Sequence, residues 1–346
     1  MQLPVSIGEF DKSPALDSIK DTIQSGQVPQ SCQLCIDNEL RGLTSTRQDA
    51  LRDWPEYRIH APDQVEYLDL RYNNLCNFAC RTCEPSYSSI IERELENNIS
   101  LKKYFNPINK LDYSNIVKDL RPYYTSLKRL NLTGGEPLLI KENLIILEEL
   151  IAAGKTDIDL LITTNVSTVN PKMLELIKQF NNVHWTLSID GVGATAEYIR
   201  FGSRWPIIVK NIKSILELKH SVGINTTVSA YSVLDISTLV NWFKSLKEEY
   251  PQRPFEIMFH AVQWPLHLAP QVTPYPDRAC TELEQAIRIL KTIENNPAYE
   301  VDNLNNLHKI LKNSIMQYTN TFFEFTHQLD QLRQQDFYQT FNLKRI

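Results

Sequence analysis

Residues 76–83 read CNFACRTC, with thiols at Cys76, Cys80 and Cys83. A disulfide takes two thiols, and a structural zinc takes four ligands. Three thiolates spaced C-x3-C-x2-C suit three irons of a [4Fe–4S] cube, leaving the fourth iron open to a small chelate. A zinc knuckle completed by a histidine is the alternative reading of the same residues. The eight residues follow directly on VEYLDLRYN, Val65 to Asn73, whose apolar, β-rich pattern predicts a strand. The cysteine loop therefore sits at a strand's C-terminal end.

Outward from this loop the pattern repeats. LKRLNLT (127–133), DIDLLITTN (157–165), VHWTLSID (183–190), VGINTTVSA (222–230) and PFEIMFHAV (254–262) read as five more strands. Helical periodicity separates them: Ser86–Asn98 and Tyr113–Tyr124, then KENLIILEELIAAG, PKMLELIKQF, WPIIVKNIKSILELK and DISTLVNWFKSLKEEY. Gly154 and Pro171 supply a helix stop and a helix start. Six β–α units build a parallel sheet with right-handed crossovers. The expected fold class is α/β, a partial (β/α)6 TIM-like barrel, with an N-terminal helical and loop extension and C-terminal helices. In such folds the loops after the strands form the reactive face.

Polar clusters fall on that face. TGGEP, Thr133 to Pro137, ends the second strand, and TTN, Thr163 to Asn165, the third. SIDG, Ser188 to Gly191, ends the fourth, and NTTVSA, Asn225 to Ala230, lies on the fifth. An amine and a carboxylate of one amino acid would chelate the open iron. A sulfonium held that way lies within reach of an electron from the cube, and breaking its carbon–sulfur bond yields a carbon radical. Gly134 and Gly135 permit close approach of a ligand to backbone, and the Glu136 carboxylate can accept from the amine. Asn225, Thr227 and Ser229 alternate along one strand face, where they either line a ribose or meet solvent.

The triad together with GGEP resembles the radical S-adenosylmethionine (radical SAM) superfamily. The segment from Asp190 through EYIRFGSRW to Asn211 is similar to its SPASM/twitch branch. So is the N-terminal pattern C-x2-C…E…G…S-x-R, which begins at Cys32 and Cys35. The likeness spans roughly residues 15 to 345. It implies a [4Fe–4S] cluster on Cys76, Cys80 and Cys83, and SAM held by Thr133, Gly134, Gly135 and Glu136 at its amino group. It further implies Ser188 and Arg200 at the carboxylate, Asp190 ordering that loop, and Asn225 and Thr227 near the ribose. The branch usually has an aromatic or large apolar residue where this chain has Thr82, so Phe78 or Tyr72 is expected to supply the apolar area for adenine. The implied activity is reductive cleavage of SAM to a 5′-deoxyadenosyl radical that abstracts hydrogen from a substrate, foremost a ribosomally made peptide or protein. An electron donor such as a flavodoxin or ferredoxin is implied. The rivals are a radical SAM enzyme of small metabolites or sugar nucleotides, and a non-catalytic protein that binds SAM and the cluster.

Composition narrows the class. Among 346 residues, 42% are hydrophobic and 22% charged, with a net charge of −5, which suits a globular protein and disfavours a broadly basic nucleic-acid binder. No run approaches about 18 apolar residues, so no membrane span is expected. The N-terminus lacks the pattern of a signal peptide, which points to the cytoplasm. Five of six cysteines lie in two tight clusters, and in a reducing compartment such clusters favour metal or redox roles. Cys32 and Cys35 supply two ligands of a second iron–sulfur or zinc site, or a pair without metal. Cys280 reads as an apolar thiol or a hydrogen-atom donor. His260 and His267 read as core or hydrogen-bonded histidines, with substrate contact the alternative. Three regions follow: 1–60, a reduced twitch-like extension; 61–270, the barrel; and 271–346, helices whose FFEF and FYQTF aromatics pack on the barrel.

Overall fold

The structure, a computed structural model, describes residues 13–40, 42, 45–53, 64–108, 113–294, 298–312 and 316–345. The chain forms two compact units. One comprises Met1–Glu66 with Leu111–Leu127, the other Tyr67–Lys110 with Lys128–Ile346. The barrel strands and the helices after residue 270 thus share one unit. The division expected at 60 lies outside the described residues.

The larger unit holds a six-stranded sheet. In chain order, counting a short outlying pair, its strands are β1 (Tyr67–Leu70), β3 (Arg129–Leu132), β4 (Asp159–Thr164), β5 (Asn182–Ser188), β7 (Ser221–Val228) and β8 (Phe255–Ala261). They lie side by side in that order, all parallel. All six expected strands form, and the sheet is the expected partial barrel. Along β4 and β7 burial alternates strictly. The fully buried face packs under helices that contribute Ile146 and Leu150, Ile208 and Ile212, and Leu239 and Phe243. Each such side chain is worth roughly 1.5–3 kcal/mol removed from water. The half-buried face keeps Thr163, Thr186, Ser188, Asn225 and Thr227.

Local chemistry sets the helix ends. Asn170 accepts from the amides of Lys172 and Met173 ahead of Pro171, a cap followed by a proline that has no amide to satisfy. The helix expected over Tyr113–Tyr124 is shorter, Ile116–Leu120 followed by a 3-10 turn at Arg121–Tyr123, because Pro122 lacks the amide that would continue it. The helix expected from Ser86 begins at Ser89, after a 3-10 turn at Pro85–Tyr87.

One feature left no periodic signal. Ala79–Cys80 (β2) and Arg200–Phe201 (β6) form a two-residue antiparallel pair with Cys80 opposite Arg200. After residue 270 come helices Pro276–Leu290, Ala298–Leu311, Thr319–Arg333 and Phe337–Thr340. Their Phe322, Phe337 and Phe341 are buried around Tyr198 and Tyr231, and Phe325 is buried against Tyr104 and His267, so the aromatic runs are packing residues of the barrel unit. Among the described residues no helix is long and apolar enough to cross a membrane.

In the smaller unit, Ser13 caps helix Pro14–Gln24. Helix Gln33–Leu40 follows a 3-10 turn that ends at Cys32, so Cys32 and Cys35 straddle a turn–helix junction. The E…S-x-R pattern is a hydrogen-bonded knot: Glu39 accepts from the Ser45 hydroxyl at 2.5 Å and from the Arg47 guanidinium.

Candidate functional site

The cysteine loop is built from its neighbours inward. Ser88, fully buried, donates to the Phe78 carbonyl at 2.6 Å and accepts from the Ile91 amide, so it caps helix Ser89–Asn97 and ties the loop to it. Between the second and third thiols, Arg81 runs into the interior with its side chain 0% exposed. It meets Asp330 and Gln335 of the C-terminal segment and the Tyr198 carbonyl, and stacks 3.7 Å over the Tyr198 ring. Phe78 and Tyr72 are closed to a ligand. Phe78 is 2% exposed, and the Tyr72 hydroxyl donates to Asn143 inside the core. The adenine surface expected from these two is therefore absent, because both rings are already spent on packing.

All three thiols are half-buried. Burial pushes Cys76 up to about 11 and raises Cys80 and Cys83 as well. Thiols held neutral in this way give up their protons when metal binds, since the ligand is the thiolate. Two sulfurs have side-chain donors: Asn165 Nδ2 lies 3.6 Å from Cys76 Sγ, and Arg200 Nη1 lies 3.8 Å from Cys80 Sγ. The Cys83 thiol donates to the Glu84 carbonyl.

TGGEP packs directly on the chain entering this loop. The Gly135 amide donates to the Asn73 carbonyl at 3.0 Å, and the Glu136 amide to the Leu75 carbonyl at 2.7 Å. Gly134 has φ +103°, a conformation glycine adopts without strain. Glu136 is 0% exposed. Its carboxylate accepts from the Thr164 hydroxyl, the Asn165 amide and the Leu138 amide. It braces TGGEP against TTN, and a ligand amine would have only its remaining lone pair.

Burial pushes the Glu136 pKa up to about 7, against hydrogen bonds that pull it down. The folded value lies above the ordinary 4.5, so the folded chain binds the proton more tightly. This stabilisation is complete below the lower value and is lost as pH rises through the upper one. The gap is worth about 3 kcal/mol. Denaturation midpoints of the metal-free chain should therefore fall between about pH 5 and pH 8, less steeply in Glu136→Gln. A slope identical in the two proteins would refute this.

At the next strand ends, Asp190 is 1% exposed, accepts from the Thr227 amide at 2.8 Å and ion-pairs with Arg200 at 2.8 Å. These contacts tie the SIDG loop to β7 and to Arg200. Arg200 is committed to Asp190 through Nε and reaches Cys80 through Nη1, so it is no free fork. Ser188 stands opposite Asn225, and Asn225 Oδ1 is buried with no hydrogen-bond partner among the described residues. His267 is buried edge-on to the Phe325 ring and tilted against the Tyr104 ring, its pKa pushed down to about 4 by burial, whereas His260 is exposed. Cys280 is half-buried on Pro276–Leu290, which packs against helix Ile236–Glu249.

Residues 70–235 match the model of the Radical SAM superfamily. This stretch is a radical SAM domain. The chain is 27% identical over 184 residues to the radical SAM cyclopropyl synthase TigE of Paramaledivibacter caminithermalis, covering 52% of this chain and 38% of the relative. It is 26% identical to a GTP 3',8-cyclase of Aliarcobacter butzleri, covering 53% of each. The chain thus spans about half or less of the length of these relatives. Among solved structures, anSMEcpe with bound AdoMet aligns at a TM-score of 0.45 and 13% identity over 66% of this chain and 60% of that one. Streptococcus suis SuiB bound to S-adenosylmethionine aligns at 0.41 and 15%, over 75% and 53%.

A radical SAM domain implies a [4Fe–4S] cluster and SAM, and the residues present fit both. Among the described residues no three His, Cys, Asp or Glu side chains gather around a single-ion point. A cube needs no such convergence, because each sulfur bonds a different iron. The glycines of TGGEP let it lie against the backbone of residues 71–75, and on the same rim the orphaned Asn225 oxygen leaves an acceptor for a ligand.

Proposed function

We propose that the chain is a radical SAM enzyme acting on a peptide or protein. Cys76, Cys80 and Cys83 would hold the cluster, which would supply the electron for reductive cleavage of SAM to methionine and a 5′-deoxyadenosyl radical. The reading is carried by one observation: the triad, TGGEP and TTN occupy neighbouring strand ends and are joined by hydrogen bonds through Asn165 and Glu136. In this proposal Thr133, Gly134 and Gly135 present backbone to the SAM amine, with Glu136 bracing them. Ser188 and the one Arg200 nitrogen taken by neither Asp190 nor Cys80 face the carboxylate, and Asn225 and Thr227 meet the ribose. A flavodoxin or ferredoxin supplies electrons. Cys32 and Cys35 contribute to a second metal or iron–sulfur site in a twitch-like N-terminal region. Unpaired cysteines suit a cytoplasmic location.

A nucleotide substrate is the second reading, favoured by the names of several relatives. The sheet's own side chains favour the peptide. Arg129 is the only Lys or Arg on the six sheet strands and is ion-paired with Asp159 at 2.9 Å. Arg71, just past β1, is paired with Asp69 at 2.8 Å. A triphosphate needs free guanidinium or ammonium groups. The hydroxyls and amides of Thr163, Thr186, Ser188 and Asn225 suit peptide groups instead.

Anaerobic reconstitution tests the class. About four irons per chain are expected for one cluster, and about eight if the N-terminal pair completes another. Dithionite and SAM should then yield 5′-deoxyadenosine, and Cys80→Ala should abolish it. Zinc in place of iron, or SAM left intact by the reduced protein, would sink the proposal.

A further inference from the structure

The sequence places Asn165 at the end of the TTN cluster but gives it no role; the fold aims it. Its amide donates to Glu136 at 2.7 Å, and its side-chain oxygen accepts from the Ser167 amide at 2.8 Å. With the oxygen thus held, Nδ2 points at Cys76 Sγ, 3.6 Å away, and at Asn77 Oδ1, 3.1 Å away. The next residue, Val166, is fully buried at φ +59°. A β-branched side chain is rarely found there, and such strain persists only where the surroundings over-determine it. Those surroundings are visible: the Val166 amide donates to Thr164 Oγ1 at 3.0 Å, and its carbonyl accepts from Asn211 at 2.8 Å. On the other side of the loop, Arg200 lies 3.8 Å from Cys80 Sγ, held by Asp190. No side-chain donor among the described residues is recorded for Cys83 Sγ.

We infer that the strained Thr164–Ser167 turn exists to deliver Asn165 as a hydrogen-bond donor to the Cys76 sulfur, and that Asn165, with Arg200 at Cys80, sets the reduction potential of the cluster. This rests on the proposal that the three cysteines hold a [4Fe–4S] cube. A donor at a ligating sulfur draws electron density from it and so favours the reduced cluster, which carries one more negative charge. Removing the donor makes the one-electron reduction harder. Two sulfurs with donors and one without also make the three protein-bound irons unequal.

The test uses the reconstituted full chain without SAM, reduced stepwise by dithionite and followed by EPR. In Asn165→Leu, which keeps the volume and loses the donor, the reduced-to-oxidised ratio at a fixed solution potential should fall about tenfold, a shift of ~59 mV for a one-electron couple. Asn165→Ala should move the same way and serves if the leucine does not hold iron. A potential equal to wild type in either loaded variant overturns the inference. So does failure of both variants to retain iron while keeping wild-type far-UV circular dichroism, since that would make Asn165 a structural residue only. If the wild-type chain itself forms no cluster, the underlying reading fails instead, and the two failures are told apart.

Discussion

Arg81→Ala is expected to lower the stability of the chain by about 3–5 kcal/mol, as for a buried ion pair that loses one partner. The guanidinium is sealed from solvent. Its Nη2 lies 2.5 Å from Asp330 Oδ1 and 2.9 Å from Gln335 Oε1, and its Nε lies 3.1 Å from the Tyr198 carbonyl. Removing it empties a side-chain volume, strips the cation from the Tyr198 ring and leaves the Asp330 carboxylate with only the Tyr198 hydroxyl and the Phe337 amide. Because Arg81 sits between Cys80 and Cys83, the same change should loosen the loop and reduce iron retained on gel filtration. Arg81→Met with Asp330→Leu should recover part of the stability, since a packed apolar pair can replace a buried ionic one. Urea denaturation at unchanged slope measures the loss. A loss below about 1 kcal/mol would mean that the pair contributes no more than an exposed one.

Gly135→Ala should be the most damaging methyl group that can be added to this rim. A Cβ there would lie 2.3 Å from the Leu75 carbonyl oxygen and 2.8 Å and 2.9 Å from the Leu75 and Asn74 carbonyl carbons. These are backbone atoms, so no rotamer change relieves the overlap. TGGEP must lift off the entry to the cysteine loop, breaking the Gly135–Asn73 and Glu136–Leu75 hydrogen bonds. A cost of about 3 kcal/mol or more is expected, at the upper end of overpacking. Gly154→Ala is the control. Unlike Gly135 it has positive φ, but it meets nothing within 4 Å, so only backbone strain of about 1 kcal/mol applies. Equal losses in the two variants would show that the clash at Gly135 relaxes.

The legible and illegible parts of this chain divide along the range of the interactions. Strands such as DIDLLITTN and VGINTTVSA carry their own period, so the six strands, their order and the reactive rim could be read from local pattern. The placement of CNFACRTC and TGGEP on that rim followed, since a motif at the end of a strand goes where the strand goes. The position of Glu136 at a strand end was legible but its surroundings were not, because the groups that enclose it, Thr164 and Asn165, lie on another turn. The Arg200 fork expected for a ligand is engaged by Asp190 and Cys80, and that depends on a two-residue strand pair too short to leave a signal.

By itself the amino-acid order determined the α/β architecture, the three-thiol loop and the glycine cradle beside it, because each is encoded in residues close together in the chain. Only the tertiary structure decided how the thiols are held: Arg81 pinned to Asp330, Asn165 turned toward Cys76, and the aromatic C-terminal helices closed over Tyr198. Those partners are separated by about 90 to 250 positions. Contacts of that range obey no period, and nothing short of folding brings them together.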